Sequence, residues 1–279
     1  MRRLLRVSSF AVALACLGTG CPSRPKSEQA LNPDVATSPL VKDVKREQPV
    51  EIGAIQGRVI LASNAKLPHL SPSQYLATTD TTRLTLSDTC KPISDSDLKP
   101  VHHMAQGLSP VLVTVTGYKR APHAKASKHV MHIRDCRIEP GLLVAMRGDT
   151  VSLTNDSKVP FLPQFRGDAF LQAVIPNQTR DVLLKTAGVQ RLGCAFGERC
   201  GGAYLVVLGH PVSDVTDQQG QFHMDNVPAN QKLILHVWHP LFTEVKRIIE
   251  VTPGQTQHME DIVLYPSKES DTKNPKVKR

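Results

Sequence analysis

From Ile52 onward the chain breaks into short apolar, β-branched runs separated by turn-forming residues, and this limits the fold more than anything else in the sequence. "AIQGRVILA", "PVLVTVTGY", "HVMHIRDCRIEP", "GLLVAMRGDTVSLTND", "TRDVLLKT" and "AYLVVLGHP" come first; "GQFHMDNV", "KLILHVWHP", "EVKRIIEVTPG" and "EDIVLYP" follow. Each run is bounded by Gly, Pro, Asn or Asp, as strands ended by turns are. No segment between them keeps a 3.6-residue period for long; Leu70 to Leu86 admits a short helix or an irregular insertion. Regularly spaced strands without crossover helices predict an all-β fold of antiparallel sandwiches. With 4% aromatic residues, 21 prolines and 17 glycines, the composition suits strands and turns better than a helical bundle. In "KLILHVWHP" the alternation buries Leu233, Leu235 and Val237 on one face. It sets Ile234, His236 and Trp238 on the other, where His236 and Trp238 would line a ligand groove.

The first residues, "MRRLLRVSSFAVALACLGTGC", have the form of an export signal, with Arg2, Arg3 and Arg6 before an apolar core. That core is too short to span a bilayer as a helix. Its end, "LGTGC", resembles a bacterial lipobox, which implies a signal peptide over 1–20 and lipidation of Cys21. The other reading of these residues is ordinary secretion with Cys21 removed or unmodified. Multiple acyl chains anchor firmly, at about 0.8 kcal/mol per buried CH₂. Pro22 after the cysteine implies the outer membrane, by resemblance to the bacterial sorting rule.

Residues 21–50 hold few large apolar groups and no period, the composition of a disordered tether. The tail 267–279 is polar and basic. The net charge of +9 is therefore spread over the ends: three positive charges lie in the signal, and the tail holds five basic against two acidic residues. An exported chain of this kind calls for no nucleic-acid partner.

"VTDQQGQFHMDNVPANQKLILHVWHP" resembles the carboxypeptidase regulatory-like, transthyretin-type sandwich through Thr216, Asp217, Gly220, Phe222, Val227, Pro228, Trp238 and His239. Asn230 stands where that family has Gly, and Asn also tolerates a left-handed backbone. The preceding "AIQGRV", "SDTC", "DCRIEP", "GDTVSLTND", "GCAFGERC" and "YLVVLGHP" resemble, in that order, the cupredoxin-like lipoproteins related to methylamine-utilisation and plastocyanin-like proteins. The two resemblances imply a cupredoxin-like sandwich over 51–212 and a smaller regulatory-like sandwich over 213–266.

A blue-copper centre needs two imidazoles, a thiolate and a weak axial thioether. Phe161 stands near the place of the first histidine, and no His occurs between Asn155 and Cys194. Neither His nor Met follows Cys194 as far as Gly201. The expectation is therefore no cofactor. Copper binding is the alternative, through an altered set drawn from His102, His103, Met104 and Cys194. His129 and His132 point to opposite faces of a strand and would not share an ion.

With Cys16 in the signal and Cys21 acylated, four cysteines remain in an oxidising compartment, and four allow three pairings. Spacing alone leaves Cys194 and Cys200 open between a staple, a redox pair and a metal site. The cupredoxin resemblance implies Cys90–Cys136, which leaves Cys194–Cys200 as the second bridge. No G-x-S-x-G, H-E-x-x-H, phosphate-binding Gly loop or EF-hand loop occurs. The sequence thus points to a non-catalytic, lipid-anchored cell-envelope protein that binds or scaffolds an envelope protein or glycan. Periplasmic copper binding or electron transfer is the alternative.

Overall fold

The computed structural model describes residues 51–76, 88–120, 124–165, 172–194 and 200–267. The expected signal peptide, the tether with Cys21 and all but the first residue of the basic tail lie outside the described residues. Within them the protein is all-β, with one short helix, α1 (Pro72–Tyr75), capped by reciprocal hydrogen bonds between Ser71 and Gln74. None of the described helices is long and apolar enough to cross a membrane.

β1 (Ile52–Leu61) is the longest strand, and strands from across the chain assemble on it. On one side it pairs with β14 (Gln221–Pro228) and touches β3 (Gly107–Ser109), which continues to β2 (His102–Met104). On the other side it pairs in parallel with β17 (Thr256–His258) and β18 (Ile262–Leu264). A second sheet has the order β13 (Ser213–Val215), β4 (Leu112–Thr116), β15 (Lys232–Trp238), β16 (Val245–Glu250). Ile55, Val59, Phe222 and Met224 of the first sheet share one core with Val113, Val115, Leu233, Leu235 and Val237 of the second.

The middle of the chain forms two further sheets. One has the order β10 (Thr179–Leu183), β8 (Thr150–Asn155), β5 (Lys128–Arg134), β6 (Arg137–Glu139). The other runs β7 (Leu142–Met146), β12 (Ala203–Leu208), β11 (Gly188–Cys194), β9 (Pro163–Phe165). Successive strands from β6 to β11 alternate between these sheets, so strands distant in sequence become neighbours. Two pairs, β5–β8 and β7–β12, are consequently parallel. Most pairs are antiparallel, as expected of antiparallel sandwiches; that expectation is corrected at these two pairs and at β17 and β18.

The boundary expected between 212 and 213 does not separate the sheets either. β1 and β4 lie before it, yet they pair with β13, β14, β15, β17 and β18 after it. Residues 124–212 thus sit between two halves of one strand assembly. Period-2 alternation states which face of a strand is buried, but not which strand lies beside it.

The turn chemistry follows the residues. Asp217 Oδ1 accepts the Gln219 and Gln221 amides at 2.9 and 2.8 Å, and Gly220 takes φ +79°. Buried Thr216 accepts from the Val111 amide and donates to the Leu108 carbonyl, tying this turn to the β3–β4 connection. Asn230 adopts φ +54°, a left-handed conformation that asparagine tolerates. Leu112 and Trp238, on the outer face of the second sheet, pack against Leu142, Val206 and Leu208 of β7 and β12, which joins the two pairs of sheets.

At Gly107 the backbones approach so closely that an added Cβ would lie 1.8 Å from the Gln219 carbonyl oxygen. Gly107→Ala is expected to lower the unfolding free energy by at least about 1–3 kcal/mol, the usual cost of forced overpacking. Urea denaturation checks this, and an unchanged midpoint would contradict the β3–turn packing.

Candidate functional site

On its outer face β1 carries Gln56 and Arg58, the polar half of the alternation in "AIQGRV". Register places Gln56 opposite His223 of β14 on one side and His258 of β17 on the other. An amide between two imidazoles therefore spans three strands, with Gln56 Nε2 2.9 Å from His258 Nδ1. Arg58 Nε donates to the Gln219 carbonyl at 3.0 Å, and its Nη2 donates to Ala105. Asp214 accepts the His223 and Val215 amides at 2.7 and 2.8 Å, which fixes the groove wall. The open groove so formed has a volume of about 580 Å³ and is also lined by Asp217 and Asp261. It is polar, with amide, guanidinium, imidazole and carboxylate groups within one recess. Alternation shows that Gln56 and Arg58 face outward; nothing in the sequence shows that His223 and His258 flank them.

The residues singled out in the sequence land elsewhere. His236 is 1% exposed: its Nε2 lies 2.8 Å from Thr116 Oγ1 and its Nδ1 2.7 Å from Glu244 Oε1. Burial works against the Glu244 carboxylate, but His236 and Lys246 hold its pKa below the usual value. This hydroxyl–imidazole–carboxylate line has the connectivity of a nucleophile and its base. Thr116 is only 7% exposed, however, so the line satisfies a buried imidazole and offers no access to a substrate. With Trp238 packed against β7 and β12 and His236 buried, the expected His236–Trp238 ligand groove is corrected: another sheet covers that end of the face.

His102, His103 and Met104 form the exposed strand β2. Alternation puts His102 and Met104 on one face and His103 on the other; Met104 Sδ accepts from Gln219 Nε2 at 3.7 Å. Cys194 ends β11 in a different sheet. Among the described residues, no three or more His, Cys, Asp and Glu side chains converge to hold a metal ion. Phe161 is 1% exposed and is held by backbone bonds to Val174 in both directions. Asn155, fully buried, braces that loop by donating to the Val159 and Val174 carbonyls.

Cys90 and Cys136 are bonded, as the resemblance implied. Asp135 and Cys136 occupy the β5–β6 turn at φ +45° and +61°, a two-residue hairpin in the left-handed region. Cys194 and Cys200 are not bonded to each other in the structure, a correction to the expected second bridge. The β11–β12 register, with Leu192 opposite Ala203, carries both to the same end of the hairpin. A disulfide also needs converging Cβ vectors, which spacing does not supply. Residues 195–199 lie outside the described residues. "CGG" has a steric cause: a Cβ on Gly201 would meet the Tyr75 hydroxyl at 2.1 Å, so the glycine admits α1.

The irregular segment 88–100 is held by the Cys90 bond and by Arg137. Its guanidinium grips the Asp97 carboxylate at 2.6 and 2.7 Å and donates to Lys91, Pro92 and Asp135 carbonyls. Burial raises the Asp97 pKa, but Arg137 and Ser94 outweigh it and hold it down to about 2. His239 is 2% exposed, its Nδ1 accepts the Leu241 amide, and desolvation pushes its pKa down to about 3.

No family model matches this chain, and no curated protein matches it. Among solved structures, a purple cupredoxin from Nitrosopumilus maritimus matches 28% of this chain and 98% of its own length, at 19% identity and a TM-score of 0.25. The all-β class rests on the strand pairing of the chain itself.

Two of the shifted groups, His239 and Asp97, make separable contributions to the acid response. A depressed histidine protonates first in the unfolded chain, so stability drops as pH falls below about 6.5 and keeps dropping toward the folded value of about 3. Asp97 stabilises above about 3.9, and this contribution is lost as pH falls toward about 2. Urea midpoints measured from neutral to acid pH should decline throughout. His239→Asn should flatten the slope above about pH 4, and Asp97→Asn only the slope below it. An unaltered slope in either variant contradicts the assignment.

Proposed function

We propose that this protein is a non-catalytic binding or scaffolding module of the bacterial cell envelope, anchored to the outer membrane through acylated Cys21. In this reading the middle of the chain is a cupredoxin-like sandwich without the copper ligands, and the surrounding strands form the regulatory-like sandwich. The observation that carries the reading is the polar groove across β14, β1 and β17. Its row of His258, Gln56 and His223, with Arg58 beside it, offers donors and acceptors suited to the hydroxyl and amide groups of an envelope glycan.

Co-sedimentation of the full chain, in mild detergent, with purified peptidoglycan sacculi tests this. Binding is expected, with several-fold weakening in Gln56→Ala and His258→Ala at unchanged thermal midpoint. No sedimentation, or equal sedimentation of the variants, overturns the groove assignment. Palmitate labelling should be lost in Cys21→Ser; persistent labelling would remove the anchor.

A second reading is copper binding on β2, favoured by His102 and Met104 sharing one exposed strand face. Titration with copper distinguishes it: stoichiometric binding abolished by His102→Ala and by Met104→Leu supports this reading, and binding insensitive to both excludes it.

A further inference from the structure

β16 is the last strand of its sheet: β15 pairs with one edge, and no described strand pairs with the other. Lys246, Ile248 and Glu250 alternate along it and are all exposed. Ile248 is 77% exposed and lies directly across the ladder from Ile234, itself 38% exposed. An edge strand bearing exposed β-branched side chains is a template for strand addition.

We propose that β16 pairs antiparallel with β16 of a second copy of this chain, about a two-fold axis at Ile248. The charge pattern selects both the partner and the register. With Ile248 on the axis, the two Ile248 side chains meet, and Lys246 of each copy stands opposite Glu250 of the other. Two-fold symmetry forms that ion pair twice from one sequence, as a self-complementary interface requires. An axis at Arg247 would instead set two arginines face to face and Lys246 against Ile248. An axis at Ile249 would set Ile248 against Glu250. Only the Ile248-centred register matches both charge and apolarity. Arg247, whose guanidinium donates to the Asp261 carbonyl, belongs to the opposite face and leaves the row clear. The joined ladders place Ile234, Ile248, and the second copy's Ile248 and Ile234 in one apolar row across a continuous sheet. The groove on β1 is not involved, so this inference stands whatever the groove binds.

The full chain in its native membranes, carrying Ile248→Cys, is treated with a short bis-maleimide and run on a denaturing gel. A band at twice the chain mass is expected, absent from the wild type and from Ile52→Cys, whose exposed side chain lies on a different sheet. Adding Lys246→Glu should lower the cross-linked fraction several-fold, and the double exchange Lys246→Glu with Glu250→Lys should restore it. Absence of the Ile248→Cys dimer overturns the proposal, as does an equal yield from Ile52→Cys. Failure of the double exchange to restore the yield overturns the register, and a cross-linked band of another mass assigns the edge to a different protein.

Discussion

The pairing of β1 with strands from the far end of the chain holds the layers in place. Its partners include β14, β17 and β18, so the folded state closes loops of well over a hundred residues. Loop-closure cost grows only logarithmically with length, so such a topology is thermodynamically tolerable, while its non-local contacts favour slow folding. Everything at the β1 surface depends on this closure. The inner residues Ile55 and Val59 complete the core. The outer residues Gln56 and Arg58 become a groove only once β14 and β17 stand beside them. Gly107 and Gly220 share in the closure, because the β2–β3 hairpin and the 217–220 turn approach at backbone distance.

A second constraint is the contact between sheets through Leu112 and Trp238. Where that contact covers the outer face of the second sheet no ligand surface remains, and the imidazole beside it is satisfied by partners inside the protein. Thr116 and Glu244 supply them. The end of the middle sheets that carries Cys200 and Gly201 is closed in the same spirit. Tyr75 lies against Gly201, and the Cys136 carbonyl accepts the Gly201 amide. Segment 88–100, with few apolar residues of its own, depends on Cys90 and Arg137 for its position.

Much of the fold was legible. The runs "AIQGRVILA", "PVLVTVTGY" and "KLILHVWHP" became β1, β4 and β15, and Leu233, Leu235 and Val237 entered the core as alternation required. The left-handed Asn230 and the Thr216–Asp217–Gly220 turn were readable because each depends on a local conformation; the Cys90–Cys136 bond was readable only through the cupredoxin resemblance, since four cysteines leave three pairings open. The candidate site was hardly legible. Gln56 reads as an outward polar residue, and His223 and His258 as two histidines among eleven; their convergence is a matter of register.

The sequence by itself determined the class of structure, the strand faces and the turns, since period, β-branching and turn residues act over a few bonds. Tertiary structure alone decided which strands are neighbours, and with that the fate of the side chains on them. It enclosed His236, packed Trp238 against a neighbouring sheet, left His102 and Met104 on an edge, and assembled His223, Gln56 and His258 into a groove. The physical reason is that a strand's hydrogen-bonding edges are chemically alike from one strand to the next. Side-chain packing across distant segments, which no local pattern records, makes the choice.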